Sequence, residues 1–336
     1  MRIQDAIAAL LARRDLESAE IEGVFDTIMR GVATPAQIGG LLVALRAKGE
    51  SVDEIVGAAR AMRSHARVIQ PRTAPLVDTC GTGGDGSGTF NISTAAALIA
   101  AGAGLGVAKH GNRAMSGKVG GADVLELLGV RIDLEPDQVE ACIDAVGIGF
   151  LFAQVFHPAM KHAAGPRREL GVRTIFNLLG PLCNPAGVRR QVVGLFAVEW
   201  LDEMARALDH LGSEHALVVH GAGGLDEISL CGPTAVVELR GGQLARYEIN
   251  PEDFGMKCCE LDALRVADGE ASATAIRAVL GGVPGPHADV AVLNAAAVLY
   301  VGGKAASLGD AIGVAREAIA SGAAAAKLQQ WIEATR

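Results

Sequence analysis

Leu76-Val77-Asp78-Thr79-Cys80-Gly81-Thr82-Gly83-Gly84-Asp85-Gly86-Ser87-Gly88 is the stretch whose reading decides the fold of this chain. It starts as a short apolar strand and continues as a run too dense in glycine to be anything but a loop. A polar helix start follows at once, with Asn91, Ser93 and Thr94 ahead of the apolar run from Ala95 to Ala101. Their side chains and the unpaired N–H groups of the first helical turn are expected to face the glycine loop. Such a pairing makes an anion site: glycine lets the backbone approach a ligand closely, and the positive end of the helix dipole favours phosphate. A second strand, Val107-Ala108-Lys109, runs into His110-Gly111-Asn112-Arg113, which sets Lys109 beside the same phosphates. This strand-loop-helix-strand order puts both polar loops at the carboxyl ends of parallel strands, where open α/β sheets bind ligands.

Upstream, residues 3–66 show helical periodicity and no strand. Ile3, Ile7, Leu10 and Leu11 share one face, and Ile21, Phe25 and Ile28 another. Thr34-Pro35-Ala36-Gln37 and Ser51-Val52-Asp53-Glu54 read as capping boxes that open the third and fourth helices. An all-helical unit ahead of a complete α/β unit, with this many apolar residues, reads as an interaction surface. Pro71 and Pro75 punctuate the linker between the two.

Downstream, the pattern predicts a helix from Ala122 to Leu128 ended by Gly129, a strand from Val130 to Asp133 and a helix from Pro136 to Val146. A helix carrying Lys161 and His162, and another within Thr174 to Pro181, come next. Strands at Val192 to Val198 and Ala216 to His220 flank a helix from Trp200 to Leu211. The second strand ends in Gly221-Ala222-Gly223-Gly224-Leu225-Asp226-Glu227, another glycine loop, now with an acidic pair. A hairpin pairs Thr234 to Leu239 with Leu244 to Ile249, and four helices between Ala271 and Ala334 finish the chain. The expected fold class is α/β: a small all-helical N-terminal domain, residues 1–70, and a large α/β domain, residues 71–336, with a mostly parallel central sheet flanked by helices.

Bulk properties narrow the partners. The 336 residues carry a formal net charge of −8, which argues against nucleic acid or an anionic membrane as the main partner, since both require a basic face. The 6 cysteines are scattered without a C-x-x-C pair, the usage of reduced thiols in a cytoplasmic protein. No apolar signal core follows Met1, and no uninterrupted apolar span reaches about 18 residues.

Several motifs carry chemistry. Gly81-x-Gly83-x-x-Gly86 matches the dinucleotide fingerprint, but the acid expected about 20 residues on is replaced by Lys109 and His110. Gly86-Ser87-Gly88 lacks the lysine of a nucleotide P-loop. Adjacent carboxylates are commonly a solvated pair; after a strand and a glycine loop, Asp226-Glu227 instead suits a hard cation, since Mg²⁺ takes one or two carboxylates plus phosphate oxygens. Ser93 can add a hydroxyl ligand from the facing loop. His110 and His157 each read, taken alone, as structural histidines. Arg167 and Arg168 read as helix-start arginines, one of which can pair with a substrate carboxylate.

Five segments together resemble the anthranilate phosphoribosyltransferase family, of the nucleoside phosphorylase-like phosphoribosyltransferase fold. They are Gly81-Thr82-Gly83-Gly84-Asp85-Gly86, Phe90-Asn91-Ile92-Ser93-Thr94, Lys109-His110-Gly111-Asn112-Arg113, the run from Gly171 to Leu182, and Leu225-Asp226-Glu227-Ile228. The likeness spans nearly the whole chain. It implies a homodimer that makes N-(5-phosphoribosyl)anthranilate in tryptophan biosynthesis, as a stand-alone transferase with no amidotransferase region ahead of Met1. It also implies that residues 157–184 return to pack on the N-terminal helices, which would form the dimerisation domain.

By motif, phosphoribosyl pyrophosphate would be held by Gly81, Gly84, Asp85, Thr89, Asn91, Ile92, Ser93, Thr94, Lys109, His110, Gly111, Asn112, Arg113, Ala114, Met115, Ser116, Gly117 and Gly121. Two Mg²⁺ per subunit would sit on Ser93, Asp226 and Glu227, with Lys109 completing the catalytic group. Anthranilate would meet Gly81, Asn112 and Arg167, near His110 and His157. The family more often has serine where this chain has Gly117, Val119 and Gly121, which implies that backbone N–H groups and Lys118 carry the pyrophosphate contact there. The alternatives are a phosphoribosyltransferase for another aromatic amine, a pyrimidine-nucleoside phosphorylase of the same fold, and a non-catalytic relative that binds a phosphorylated ligand or nucleic acid.

Overall fold

A computed structural model describes residues 1–113 and 120–336. The expectations for Ala114, Met115, Ser116, Gly117, Lys118 and Val119 therefore lie outside the described residues. The chain opens with four helices, α1 (Ile3–Leu11), α2 (Ser18–Met29), α3 (Pro35–Lys48) and α4 (Val52–Ser64). Both capping boxes form: the Thr34 N–H donates to Gln37 Oε1 at 2.9 Å and the Ser51 N–H to Glu54 Oε2 at 2.8 Å. Ile21, Phe25 and Ile28 are fully buried. On α1 the inner face is Ile3, Ala6 and Leu10, whereas Leu11 is 71% exposed; one residue past Leu10 is a turn of about 100° away from the core.

Next come β1 (Leu76–Gly81), α5 (Ile92–Gly102), β2 (Gly106–Gly111), α6 (Gly121–Leu128), α7 (Pro136–Val146) and β3 (Ile148–Phe152). The strand expected from Val130 to Asp133 does not form. Val130 and Ile132 are buried in alternation with exposed neighbours, but the Arg131 N–H donates to Thr335 Oγ1 rather than to a ladder. The strand at this edge is β3, which is buried along its whole length and so shows no alternation to read.

The chain continues through α8 (Ala153–Phe156), α9 (Lys161–Leu170) and α10 (Phe176–Leu179), the last tightening into a single 3₁₀ turn, Gly180–Leu182. Helix α9 runs through Gly165 and Pro166, so Arg167 and Arg168 lie in its last turn rather than at a helix start, where the dipole favours cations. Then follow β4 (Arg190–Gly194), α11 (Leu201–His210), β5 (His215–Gly221), β6 (Thr234–Arg240), β7 (Gln243–Ile249), α12 (Gly269–Leu280), α13 (Pro286–Val301), α14 (Leu308–Ala320) and α15 (Ala323–Ala334).

The seven strands lie in the order β3-β2-β1-β4-β5-β6-β7. The first five run parallel, and β6 pairs antiparallel with both β5 and β7. The chain steps outward from β1 through β2 to β3, then resumes at β4 on the other side of β1. The crevice between the carboxyl ends of β1 and β4 is thus the topological switch point.

Alternate strand residues feed two cores, as the period of two requires. Val192, Leu217 and Val219 join α5 and α13 on one face. Val193, Ala216 and Val218 face α11 and the N-terminal helices on the other. That second core also takes in Ala163, Ile175, Phe176, Leu178, Leu179 and Leu182. The Phe25 and Phe176 rings lie 5.5 Å apart, and Arg63 Nε donates to the Leu182 carbonyl at 2.6 Å. The helical unit and one sheet face therefore share a single packed interior.

Candidate active site

At the switch point, the loop after β1 turns on glycines in the left-handed region, Gly83, Gly84, Gly86 and Gly88. Its far end is tied down: Arg265 Nε donates to the Ser87 carbonyl at 2.8 Å, the Val266 N–H to Gly88, and Thr89 forms an isolated bridge with Arg265. Asn91 caps α5, its Oδ1 accepting from the Thr94 N–H at 3.1 Å, while its own N–H donates to Ser272 Oγ. Ile92 is buried in the core, and Thr94 Oγ1 is buried without a hydrogen-bond partner among the described residues.

The acidic pair reaches this loop from the end of β5. Asp226 Oδ2 accepts from the Gly83 N–H at 2.6 Å, and Glu227 Oε1 from the Ser93 N–H at 3.1 Å. A first-turn amide of α5 is thus occupied by a carboxylate of the chain itself. The approach is close enough to exclude side chains: a Cβ on Gly81 would stand 2.1 Å from Asp226 Oδ2, and one on Gly194 would stand 1.6 Å from the Asp226 carbonyl oxygen. Burial pushes both carboxyl groups well above the usual carboxylate range, with Asp85 adding to the shift of Asp226 and Asp226 to that of Glu227.

Lys109 is buried beside them. Its Nζ donates to the Thr79 carbonyl at 2.8 Å and to Ser93 Oγ at 3.1 Å, using two of the three ammonium donors. Burial lowers its pKa, while Asp78 pulls the other way. Asp78 carries no sequence motif, yet it organises the floor of the site. Its carboxylate accepts from the His110 N–H at 3.2 Å and from Asn184 Nδ2 at 2.8 Å, and Asn184 also donates to the Ala108 carbonyl. A charged residue inside a buried strand was the one available signal for it.

His110 and His157 come together, with ring centroids 5.1 Å apart. Among the described residues their Nε2 atoms are buried without hydrogen-bond partners, while His110 bonds to the backbone at Gly180 and His157 to that at Cys183. Burial drives His110 down to about 3, helped by His157, and His157 down to about 4. Both rings are neutral at pH 7.

Arg167 is half-buried, with its guanidinium 4.9 Å from the centroid of the Phe176 ring. Among the described residues it pairs with no carboxylate, whereas Arg168 is exposed. Gly111 ends β2, Asn112 is exposed beyond it, and the Asn112 carbonyl accepts from the Ala122 N–H next to Gly121. Arg113 is engaged by Asp123 at 2.8 Å and Glu126 at 2.5 Å, so in this arrangement its charge is already met. Arg173, within the run from Gly171 to Leu182 but assigned no role by it, reaches the loop as well: its Nη2 donates to the Gly84 carbonyl.

Among the described residues no three His, Cys, Asp or Glu side chains gather into a metal-holding set, and no helix is long and apolar enough to cross a membrane. Asp226, Glu227 and the Ser93 hydroxyl nevertheless fit a hard cation, because two buried, mutually repelling carboxylates gain most from one. Mg²⁺ commonly completes its shell with water and substrate phosphates.

Comparison with known proteins finds relatives along nearly the whole chain. Residues 4–66 match the helical bundle domain of a glycosyl transferase family, and residues 73–325 match the a/b domain of a glycosyl transferase family. The anthranilate phosphoribosyltransferase of Thioalkalivibrio sulfidiphilus is 56% identical over 335 residues, covering 100% of this chain and 99% of that protein. A crystal structure of the Thermus thermophilus enzyme of the same name superposes with a TM-score of 0.94 at 47% identity, covering 99% of both chains. The Saccharomyces cerevisiae enzyme in complex with phosphoribosyl pyrophosphate and Mg superposes at 0.90 with 28% identity, covering 99% of this chain and 97% of that one.

Proposed function

This chain belongs to the anthranilate phosphoribosyltransferases, and from that premise we propose how its residues move a phosphoribosyl group from 5-phosphoribosyl 1-pyrophosphate to the amine of anthranilate. The observation that carries the assignment is the meeting of Asp226 and Glu227 with the glycine loop and the α5 start, beside Lys109. Departure of pyrophosphate leaves cationic character on the ribose carbon, so the site must neutralise the leaving group and hold the amine in line. Lys109 supplies fixed positive charge from below. Asp226, Glu227 and Ser93 would hold Mg²⁺, two per subunit, and the metal would supply further charge to the departing pyrophosphate. Gly81, Gly84, Asp85, Thr89, Asn91 and Thr94 shape the donor cradle.

Arg167 takes the anthranilate carboxylate, since among the described residues it is a half-buried cation without a carboxylate of its own. Asn112 and the Gly81 backbone flank the acceptor, and the neutral pair His110 and His157 line it without adding charge. The arylamine carries its own lone pair, so a covalent protein nucleophile is unnecessary. A homodimer through the N-terminal helices is part of the same reading, supported by Leu11, Val32 and Val43, which stand exposed there; light scattering that finds a monomer at micromolar concentration would remove it. So is a cytoplasmic location in tryptophan biosynthesis.

The deciding experiment follows the loss of anthranilate fluorescence with phosphoribosyl pyrophosphate and Mg²⁺, beside a pyrimidine-nucleoside phosphorolysis assay. Turnover in the first and none in the second is the expected result, and the reverse pattern would overturn the assignment. Neither the phosphorylase nor a different amine acceptor is favoured, because the relatives above share one name.

A further inference from the structure

We infer that Arg173 is a positioning residue for the donor, fastening the glycine loop through the Gly84 carbonyl to the same segment that carries the acceptor arginine; this rests on the function proposed above. Three consecutive loop residues are held from three directions. The Thr82 N–H donates to the Gly194 carbonyl at 2.9 Å, and Thr82 Oγ1 accepts from the Phe196 N–H at 3.0 Å. The Gly83 N–H is held by Asp226 at 2.6 Å. Gly84 is held by Arg173 alone among the described side chains, and the guanidinium that does so lies 4.2 Å from the centroid of the Phe196 ring.

The stacking matters because it fixes the plane of the fork. A planar guanidinium seated on an aromatic face is pre-organised to donate along one direction, which a flexible ammonium is not. The charge is not spent on a structural ion pair either. Among the described residues no carboxylate pairs with Arg173, although Glu50 lines the same small cavity, of about 10 Å³, with one carboxylate oxygen buried and unpartnered.

The anchor point of Arg173 links it to the acceptor. Helix α9 carries Arg167 and ends on Gly171 at φ 61°. Two residues later comes Arg173, and the next turn is closed by the Thr174 N–H on Asn177 Oδ1 at 3.0 Å. That turn presents Phe176, whose ring lies 4.9 Å from the Arg167 guanidinium. One turn of chain therefore sets both the arginine assigned to the anthranilate carboxylate and the arginine that holds the donor loop. Losing Arg173 frees the loop at Gly84 while leaving Arg167 on its ring.

The test uses the full chain with Arg173→Gln, Arg173→Lys and Phe196→Leu. Donor binding is measured by calorimetric titration of phosphoribosyl pyrophosphate with Mg²⁺ and without anthranilate, alongside both Michaelis constants, kcat and the melting temperature. Arg173→Gln is expected to raise the donor Kd and KM roughly tenfold, the low end for a hydrogen bond to a charged group because Arg173 is exposed. The anthranilate KM at saturating donor and the melting temperature stay near wild type. Arg173→Lys recovers only part of the loss, and Phe196→Leu moves donor binding the same way with the charge retained. Should Arg173→Gln not fold, those two variants decide. A donor Kd within twofold of wild type in the variants that fold, or equal losses in both substrates and in melting temperature, overturns the inference. A wild type that does not bind the donor at all overturns the proposed function first, and this inference with it.

Discussion

Gly81→Ala isolates the close approach on which the acidic pair depends. Gly81 is not among the residues with positive φ, so alanine fits its backbone and the added methyl acts by collision alone. That methyl would stand 2.1 Å from Asp226 Oδ2 and 2.6 Å from its Cγ. Even the tightest tolerated contact, near 3.0 Å, requires the carboxylate to retreat by roughly 1 Å, and a misplacement of about 1 Å in a reacting constellation costs on the order of a hundredfold in rate. The hydrogen bond from the Gly83 N–H, 2.6 Å long, is lost with it. Overpacking of this kind costs about 1–3 kcal/mol of stability, so the protein melts earlier but still folds. In the anthranilate fluorescence assay the variant should show kcat/KM down about a hundredfold and a higher Mg²⁺ concentration for half-maximal rate. Gly86→Ala is the control: its φ is +72° with nothing within 4 Å, so it strains the backbone by about 1–2 kcal/mol without touching Asp226. A Gly81→Ala enzyme within twofold of wild type, with unchanged Mg²⁺ dependence, would refute the reasoning.

Asp226→Asn with Glu227→Gln should abolish turnover and its Mg²⁺ dependence with the circular dichroism spectrum unchanged; retained activity with retained Mg²⁺ dependence counts against the metal assignment. Arg167→Ala should raise the anthranilate KM about ten- to a hundredfold, from the roughly 1.5–3 kcal/mol of a charge-assisted contact, and the donor KM far less. Equal effects on both substrates, or an effect confined to Arg168→Ala, would move or remove that role. His110 and His157, held down to about 3 and about 4, should stay neutral by imidazole NMR from pH 8 to 5. Because the unfolded chain binds those protons nearer pH 6.5, they make stability fall as pH drops below that value, and His157→Asn should flatten the slope. An imidazole titrating between pH 6 and 7 would contradict the burial argument.

Much of this molecule is legible along the chain because its cues act over a few residues. A capping box needs only Thr34 and Gln37, a helix cap only Asn91 and Thr94, and a glycine-dense run can only be a loop. Strand-loop-helix-strand order then places Gly81, Lys109 and Asp226 at one edge of a parallel sheet, since crossovers between parallel strands leave their carboxyl ends together. Packing decided the rest. The all-apolar β3 and the alternating Val130 segment exchange the roles their patterns suggest, because a ladder partner, not a local pattern, makes a strand. Asp226 meets Gly83 across 143 residues, Asn184 meets Asp78 across 106 and Arg173 meets Gly84 across 89. No periodicity encodes such pairs. They exist because β4 lies beside β1 and because α9 and α10 close against the N-terminal helices, so the residues that hold the loop become visible only once the sheet order and the shared core have brought them together.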